Sequence, residues 1–436
     1  MKNNIKKILS NSFAKGVAVI ASGTAGAQLL NSLLSPIITR IYTPEEYGVF
    51  TVYAAILGMV VIIGSLRYEW GIPIAENDTK AINLLFLSLL VLTFFVGIIT
   101  FALTFWAEFF LGFISGDLIL KYKYLIPLGV FFAGLYNIFT QWALRKKNYT
   151  SLSKTKINQS VVQNAIKILM GLLHFGPIGL ILGNIFGQSS GTVTLATPLI
   201  KESKGFINKV NRRDIIECFK RYIRFPVYSA PSQLLNTAGL QLPVLFIASM
   251  YGSVVSGYYA LAHTIVNLPM VLIGGAVADV FYGEAATIGR SNPERLKDLT
   301  KKLFRKLFII GLVPLIVLII LGPFLFSLVF GHNWYEAGVY SRIIAFLVFT
   351  RFIFTPFGRV FSVFERQKIE LILDSFRLIL VLGVFWFAKL FSLNAYLTIG
   401  LYTLVMSIVY LVTFLLVNKV INDELKKGAI SRKLDW

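Results

Sequence analysis

The stretch AINLLFLSLLVLTFFVGIITFALT, residues 81–104, decides the fold class. It contains no charged residue, and about 20 apolar residues in a helix are enough to cross the roughly 30 Å of hydrocarbon in a bilayer. Apolar and polar residues do not alternate along it, as they would in a membrane β-strand. Because only helices and closed barrels satisfy the backbone in lipid, this stretch is predicted to be a transmembrane helix.

The rest of the chain repeats this pattern. Of its 436 residues, 56% are hydrophobic and 14% are charged, against about 45–50% and about 25% in soluble proteins. We therefore expect an all-α integral membrane protein without a large soluble domain. The apolar blocks predict twelve transmembrane helices, at residues 14–38, 46–68, 80–104, 122–145, 155–175, 177–199, 225–248, 253–281, 304–330, 337–361, 369–391 and 394–418.

The formal net charge is +21, and its distribution along the chain predicts the topology. Basic residues cluster before the first helix and in every second gap, at Arg145 to Lys156, Lys201 to Arg224 and Arg290 to Lys306. Cytoplasmic loops carry such an excess of lysine and arginine. Both termini are therefore predicted to be cytoplasmic, with membrane lipids and not nucleic acid as the partner of this charge.

The basic segment 201–224 divides the predicted helices six and six. We expect an N-terminal lobe at 1–200, a basic cytoplasmic linker at 201–224 and a C-terminal lobe at 225–436. QLLNS at 28–32 recurs as QLLNT at 233–237, and Gly48-Val49-Phe50 aligns with Gly257-Tyr258-Tyr259. Six helices per repeat predict parallel repeats, related by a pseudo-two-fold axis along the membrane normal, with the substrate between the lobes.

The chain resembles the bacterial lipid-linked oligosaccharide flippases, the O-antigen transporter and polysaccharide biosynthesis branch of the multidrug/oligosaccharidyl-lipid/polysaccharide exporter superfamily. The first two-thirds carry the resemblance, whereas the last four helices match only in length and hydropathy. The matching blocks are Tyr42 to Gly48, Arg67 to Ala81, Trp142 with Arg145 through to Gly179–Gly183, and Phe225 to Asn236 continuing through Leu242–Val244 and Gly257–Ala262 to Leu268-Pro269.

This resemblance implies a multi-pass transporter of the bacterial cytoplasmic (inner) membrane. Such a protein would move undecaprenyl-diphosphate-linked oligosaccharide units outward by alternating access, for O-antigen of lipopolysaccharide, for capsule or for exopolysaccharide. It would act as a monomer, with a polysaccharide polymerase and a chain-length regulator as candidate partners. No cofactor, metal or catalytic residue is expected, and the single cysteine, Cys218, forms no internal disulfide.

The substrate's diphosphate would need cations inside the membrane, where ionisable residues are expensive and usually functional. We expect Arg351 and Lys167 to bind it, since arginine grips phosphate bidentately and lysine acts as a point charge. The alternatives are a structural ion pair for Arg351 and snorkelling for Lys167. Arg342 and Arg359 are further candidates that could instead reach lipid head groups.

Two pairs of charged residues are expected to serve structure or gating. Asp374 and Arg377 are three apart on one helix face and predict an ion pair. Arg67 and Glu69 close the second predicted helix on the cytoplasmic side, with gating as the minority interpretation.

Four amides occupy matching places in the two repeats. They are Gln28, Asn31, Gln233 and Asn236, and they are candidates for hydrogen bonds to sugar hydroxyls or to the diphosphate. The alternative is contact between helices, at about 0.6 kcal/mol each. His263 is a candidate for proton coupling, although a single histidine more often packs.

Three other classes compete with a flippase. A multidrug/cation antiporter of the same superfamily would be expected to carry a buried acidic residue, and none lies convincingly at mid-depth. A membrane enzyme of polysaccharide assembly would need a sizeable outer loop or an acidic pair, but the outer gaps are short. A scaffold gives no reason for buried arginines.

Overall fold

The computed structural model describes residues 12–202, 210–288, 292–364 and 366–434, and their regular structure is helical throughout. The basic N-terminal residues Lys2 to Lys7, residues 203–209 of the predicted linker and Arg290 lie outside the described residues. The α-helices are α1 (Ser12–Ile41), α2 (Pro44–Gly64), α3 (Asp78–Phe105), α4 (Ala107–Ser115), α5 (Leu125–Arg145), α6 (Tyr149–Leu172), α7 (Pro177–Glu202), α8 (Arg212–Arg221), α9 (Ala230–Val266), α10 (Gly275–Ile288), α11 (Pro293–Phe330), α12 (Tyr335–Phe354), α13 (Val360–Val363), α14 (Gln367–Leu390) and α15 (Ala395–Leu434).

Local sequence fixes where several of these helices begin. Thr43 caps α2, accepting from the amide of Glu46 while the Glu46 carboxylate accepts from the amide of Thr43. This reciprocal capping box satisfies two amides that have no partner within the helix. Asn77 caps α3 and Asn148 caps α6 in the simpler way, through one side-chain oxygen.

The chain is a multi-pass membrane protein. Within the described residues, eight helical segments are long and apolar enough to cross a bilayer: Pro44–Gly64, Asp78–Phe105, Leu125–Arg145, Phe225–Val266, Pro293–Phe330, His332–Val363, Lys368–Leu390 and Ala395–Lys426. Helices α1, α6 and α7 correspond to three further predicted spans and are not among these eight segments. The count of twelve spans stays a prediction.

The segment Phe225–Val266 has 42 residues, a helical length of roughly 63 Å, about twice the hydrocarbon thickness. Its backbone breaks at Gly252, where φ is 84° and ψ is 178°. Residues with side chains rarely adopt such a conformation, but glycine does so readily. The break falls where the sequence predicts a short gap, between 248 and 253.

The chain divides into two compact units, the first ending at Gly257 and the second beginning at Tyr258. The first unit therefore includes α8 and the start of α9, whereas the sequence placed the division at 201–224. In the core of the first unit, Tyr53, Leu84 and Val130 from α2, α3 and α5 are fully buried. The predicted arrangement of two symmetric six-helix lobes stays a prediction.

The second unit is built on α12, which packs against α11 and α15. Phe304 of α11 stacks on Phe354 of α12 and on Phe414 of α15, with ring centroids 6.1 and 5.1 Å apart. These aromatic contacts fix the helix that carries Arg351.

Candidate functional site

Helix α6 carries the polar side chains of the first unit, and it packs between α1 and α7. The Oδ1 atom of Asn31 on α1 lies 2.6 Å from both Ser160 Oγ and Asn164 Nδ2 on α6. Asn164 also donates to the Ser160 carbonyl at 2.7 Å. Asn31 thus joins two helices, which is the second of the two roles weighed for it from sequence.

Helix α6 also meets a row of glycines on α7. Each long polar side chain at four-residue spacing on α6 lies over one glycine of the antiparallel helix, pairing Gln159 with Gly191, Gln163 with Gly187 and Lys167 with Gly183. A side chain at any of these glycines would collide with its partner. Small residues let membrane helices approach closely, and here they make room for polar side chains. We call α6 residues 159–167 with the side chain of Asn31 the polar seam.

Lys167 is the charged member of the seam and is only 7% exposed. Its Nζ lies 4.6 Å from the centroid of the Phe50 ring, and its carbonyl accepts from the Tyr42 hydroxyl at 2.7 Å. Among the described residues, no carboxylate lies within 4.0 Å of this amine. A buried cation without a counter-charge is costly, and the Phe50 ring compensates only part of that cost. The amine is thus buried over the Phe50 ring, and its role in binding a diphosphate stays a prediction.

The seam also holds amides that sequence reasoning passed over. Gln163 is half-buried, and within the described part of the chain its side chain makes no hydrogen bond. The Gln159 amide donates to Gln188 on α7 at 3.3 Å. Gln28, a candidate already identified from the sequence, lies outside the seam and is half-buried on α1. The sequence feature that could have indicated these amides is the low apolar content of residues 149–172, which stands out among the predicted spans.

In the second unit, Arg351 lies half-buried on α12. Its charge acts electrostatically on Tyr259 and His263 of α9 and on Tyr402 of α15. The His263 ring stacks on the Tyr259 ring, with 5.9 Å between the two centroids. No carboxylate of the described residues forms an ion pair with Arg351, so the structural pair proposed as its alternative is not present there. Coupling of a proton by His263 stays a prediction.

The other two arginine candidates are exposed. Arg342 donates to the Ile320 carbonyl at 3.0 Å, three residues before Pro323 in α11. The guanidinium of Arg359 lies 5.9 Å from the Tyr282 ring. The structure therefore does not bring Arg342 and Arg359 into the group around Arg351. On α9 of the first unit, Gln233 is half-buried and Asn236 is exposed.

Asp374 and Arg377 form the expected ion pair, with 2.9 Å between Oδ1 and Nη1. The guanidinium of Arg377 also lies 5.3 Å from the Tyr410 ring. Because a carboxylate and an aromatic ring already surround it, this arginine is less available to an anion than Arg351.

Arg67 and Glu69 are not a close ion pair. Leu66 and Arg67 have positive φ values of 50° and 64°, which turns the chain into a 3₁₀ helix at Tyr68–Gly71. The Arg67 guanidinium stacks over the Trp70 ring at 4.1 Å, and the Ser65 hydroxyl donates to Glu69 at 2.6 Å. Glu69 is 3% exposed, and burial raises its pKa.

The block Arg67 to Ala81, which the sequence singled out, forms the surface on which α8 docks. Glu76 binds Arg221 at 2.6 Å, and Lys80 bridges Glu76 and Glu217 at 3.3 and 2.7 Å. The hydrogen bonds from Arg221 and Lys80 hold the pKa of the Glu76 carboxyl below its ordinary value. The Tyr68 ring stacks on Phe219 at 5.7 Å. Arg145 and Lys146 at the end of α5 bind Asp78 at 2.9 and 2.8 Å, which fixes the start of α3 beside this surface.

The fold of this chain is similar to that of solved transporters of the MOP superfamily. An inward-facing MATE multidrug transporter superposes with a TM-score of 0.71 over 94% of this chain and 99% of that one, at 18% identity. A MOP superfamily transporter from Pyrococcus furiosus Vc1, described by the reverse polarity of its binding pocket, gives a TM-score of 0.58 over 94% and 96%, at 16% identity. At these identities, the likeness shows the fold alone.

The sequence defines the family more narrowly. The model of the family described as Polysaccharide biosynthesis protein matches residues 37–339, and the chain belongs to this family. It is also 23% identical over 253 residues to the teichuronic acid biosynthesis protein TuaB of Bacillus subtilis (strain 168). That alignment covers 57% of this chain and spans half the length of the relative.

Proposed function

We propose that this protein is a flippase that moves undecaprenyl-diphosphate-linked oligosaccharide units across the bacterial cytoplasmic membrane for a surface polysaccharide. The polysaccharide biosynthesis family and the transporter fold support the general class of membrane transporter. The substrate, the cytoplasmic placement of both termini and the alternating-access mechanism belong to the proposal.

The observation that carries the proposal is that two cations lack an ion pair with any described carboxylate. Lys167 of the first unit and Arg351 of the second lie inside helices of a membrane protein, and neither forms an ion pair with a described carboxylate. A protein holds such groups against their desolvation cost where an anion completes the site. Each of these cations would attract a diphosphate and repel a cationic drug.

The polar seam supplies the second requirement of the substrate. Sugar hydroxyls lose their hydrogen bonds to water inside a membrane unless protein groups replace them. Gln163 of the seam and Gln28 of α1 are both half-buried, and their side chains form no hydrogen bond with a described residue. In the proposal these two amides bind the glycan, while Asn31 and Asn164 hold the helices that carry them.

The test is transport of a fluorescent undecaprenyl-diphosphate-linked oligosaccharide in proteoliposomes, read as its loss of protection from an impermeant glycosidase. Lys167→Met keeps most of the side-chain volume and removes the charge; Arg351→Ala removes the guanidinium. Each change is expected to lower the transport rate at least tenfold, and Arg351→Lys is expected to restore part of it.

Lys389→Ala is the matched control, because it removes an exposed cation at the end of α14. It is expected to transport at the rate of the unaltered protein. Normal transport by both Lys167→Met and Arg351→Ala would refute the assigned anion contacts. Transport of cationic drugs without transport of the lipid-linked glycan would favour the antiporter.

A further inference from the structure

Helix α8 has two faces with different partners. One face docks on the first unit: Cys218 is 2% exposed, Glu217 and Arg221 form ion pairs, and the Tyr222 side chain packs against Gly71. A helix of ten residues is marginal alone in water, so this docking holds α8 in a fixed orientation. The side chains on its outer face are therefore held in place before any partner binds.

The outer face carries an apolar row. Ile216 and Phe219 are each 45% exposed and Ile223 is 40% exposed. Ile216 and Phe219 lie three residues apart on one side of α8, and Ile223 follows in the turn just after its last residue, Arg221. One side of the Phe219 ring stacks on Tyr68, yet all three side chains keep 40% or more of their surface exposed, so the first unit covers this row only in part.

Beside the apolar row runs a row of cations. Arg213, Lys220 and Arg224 follow one another at seven and four residues, and all three are exposed. Among the described residues they form no ion pair, unlike Glu217 and Arg221 on the docked side. Three cations with no carboxylate partner beside an apolar row are complementary to a surface that is both anionic and apolar.

The position of α8 in the chain selects that surface. Only three residues separate Arg221 from the membrane-crossing segment that begins at Phe225, so α8 lies at the membrane–water interface. There an amphipathic helix buries its apolar side at the level of the acyl chains and directs its basic side to the head groups.

We propose that the outer face of α8 binds the anionic phospholipids of the bilayer surface. Ile216, Phe219 and Ile223 enter the interface, and Arg213, Lys220 and Arg224 bind phosphate groups of the lipids. This lipid contact does not depend on the proposed substrate. It is expected whether the chain is a flippase or another kind of transporter.

The test measures binding of phosphatidylglycerol to the full-length protein by native mass spectrometry, after release from nanodiscs with phosphatidylcholine as the bulk lipid. The variant Arg213→Gln/Lys220→Gln/Arg224→Gln is compared with the unaltered protein. Each basic residue near a membrane surface contributes roughly a fivefold factor, so the apparent affinity for phosphatidylglycerol is expected to fall on the order of 100-fold. Binding of phosphatidylcholine is expected to stay unchanged.

The control variant is Arg295→Gln/Lys297→Gln/Lys301→Gln at the start of α11, where three exposed cations alternate with Glu294 and Asp298. It removes the same charge without touching an apolar row, and it is expected to lose at most a few-fold in affinity. An equal loss in both variants would show a general effect of net charge and would overturn the proposal.

A second measurement keeps the inference testable if detergent disturbs the helix. Hydrogen exchange of residues 212–224 in nanodiscs is expected to slow when phosphatidylglycerol replaces phosphatidylcholine, and Ile216→Ser/Ile223→Ser is expected to abolish the slowing. Equal slowing by inorganic pyrophosphate in phosphatidylcholine nanodiscs would identify a plain anion site, and the assignment to lipid would be wrong.

Discussion

Gly48 and Gly257 lie against each other's backbone in a reciprocal way. A side chain at Gly48 would collide with the carbonyl of Ser253, four residues before Gly257, and one at Gly257 would collide with the carbonyl of Pro44, four residues before Gly48. These are the two glycines that the repeat aligns. The contact lies within the first unit, and it joins the start of α2 to the turn of α9 beyond Gly252.

We predict that Gly48→Ala and Gly257→Ala each destabilise the protein. The colliding atoms are backbone carbonyls, which cannot rotate away, so the helices must move apart at a cost of about 1–3 kcal/mol. The loss should appear as a lower midpoint of thermal unfolding for the purified protein. Gly97→Ala is the control, because a methyl group there meets open space, and a midpoint equal to those of the other two variants would contradict the packing argument.

The break at Gly252 and the short turn at Gly176 were visible in the sequence because each glycine ends an apolar block. Gly176 has a φ of 63° and Gly252 a φ of 84°, conformations that favour glycine. The contact of Asn31 with Ser160 and Asn164 was not visible. It joins positions 129 and 133 residues apart, and no local periodicity records which helices become neighbours.

The same limit applied to the block Arg67 to Ala81. Its composition marked it as distinctive, but its role as the docking surface of α8 depends on Glu76 meeting Arg221, a contact across 145 residues. Among the candidate cations, the sequence identified Lys167 and Arg351 as intramembrane charges. It ranked Arg342 below them but could not show that the Arg342 guanidinium binds the Ile320 carbonyl.

We predict that acid releases α8 from its docking surface. The pKa of Glu76 is lowered from 4.5 by Arg221 and Lys80, and a carboxyl with a lowered pKa stabilises the docked state above its unfolded pKa. That contribution is lost as the pH falls below 4.5 through the lowered value. Cys218, the single cysteine, is buried on the docked face of α8, so its rate of labelling by a disulfide reagent that reacts in acid measures the release.

At neutral pH, Glu76→Gln is expected to raise this labelling rate roughly two- to fivefold, since exposed ion pairs contribute little each. Glu76→Gln should also reduce the further rise of the labelling rate on acidification. Part of that rise should remain, because the pKa of Glu217 is lowered as well. Glu108→Gln, at an exposed carboxylate on α4, is the control. Labelling that is independent of both pH and Glu76 would show that the apolar contacts alone hold α8.

Asn164→Ala is expected to destabilise the polar seam. It leaves Asn31 Oδ1 with Ser160 as its one described donor, at a cost of about 0.6–1.7 kcal/mol for a hydrogen bond between membrane helices. The midpoint of thermal unfolding should fall accordingly, whereas Asn158→Ala, at an exposed position on the same helix, should leave it unchanged. Equal midpoints for the two variants would mean that Asn31 is held by other contacts and remains available to a ligand.

Tyr42→Phe is expected to loosen the backbone that carries Lys167. The Tyr42 hydroxyl donates to the Lys167 carbonyl at 2.7 Å and is buried. Because that carbonyl also serves as an acceptor within its own helix, the free energy of unfolding should fall only moderately, by about 0.5–1.5 kcal/mol.

The informative measurement is a double-mutant cycle of Tyr42→Phe with Lys167→Met. If the hydroxyl positions the amine over Phe50, the effects of the two changes on the transport rate should not be additive. Each change should lower the rate less when the other is already present. Additive effects on transport would show that Tyr42 only stabilises the fold. Tyr124→Phe, at an exposed hydroxyl, should change neither stability nor transport, because its ring loses no buried hydrogen bond.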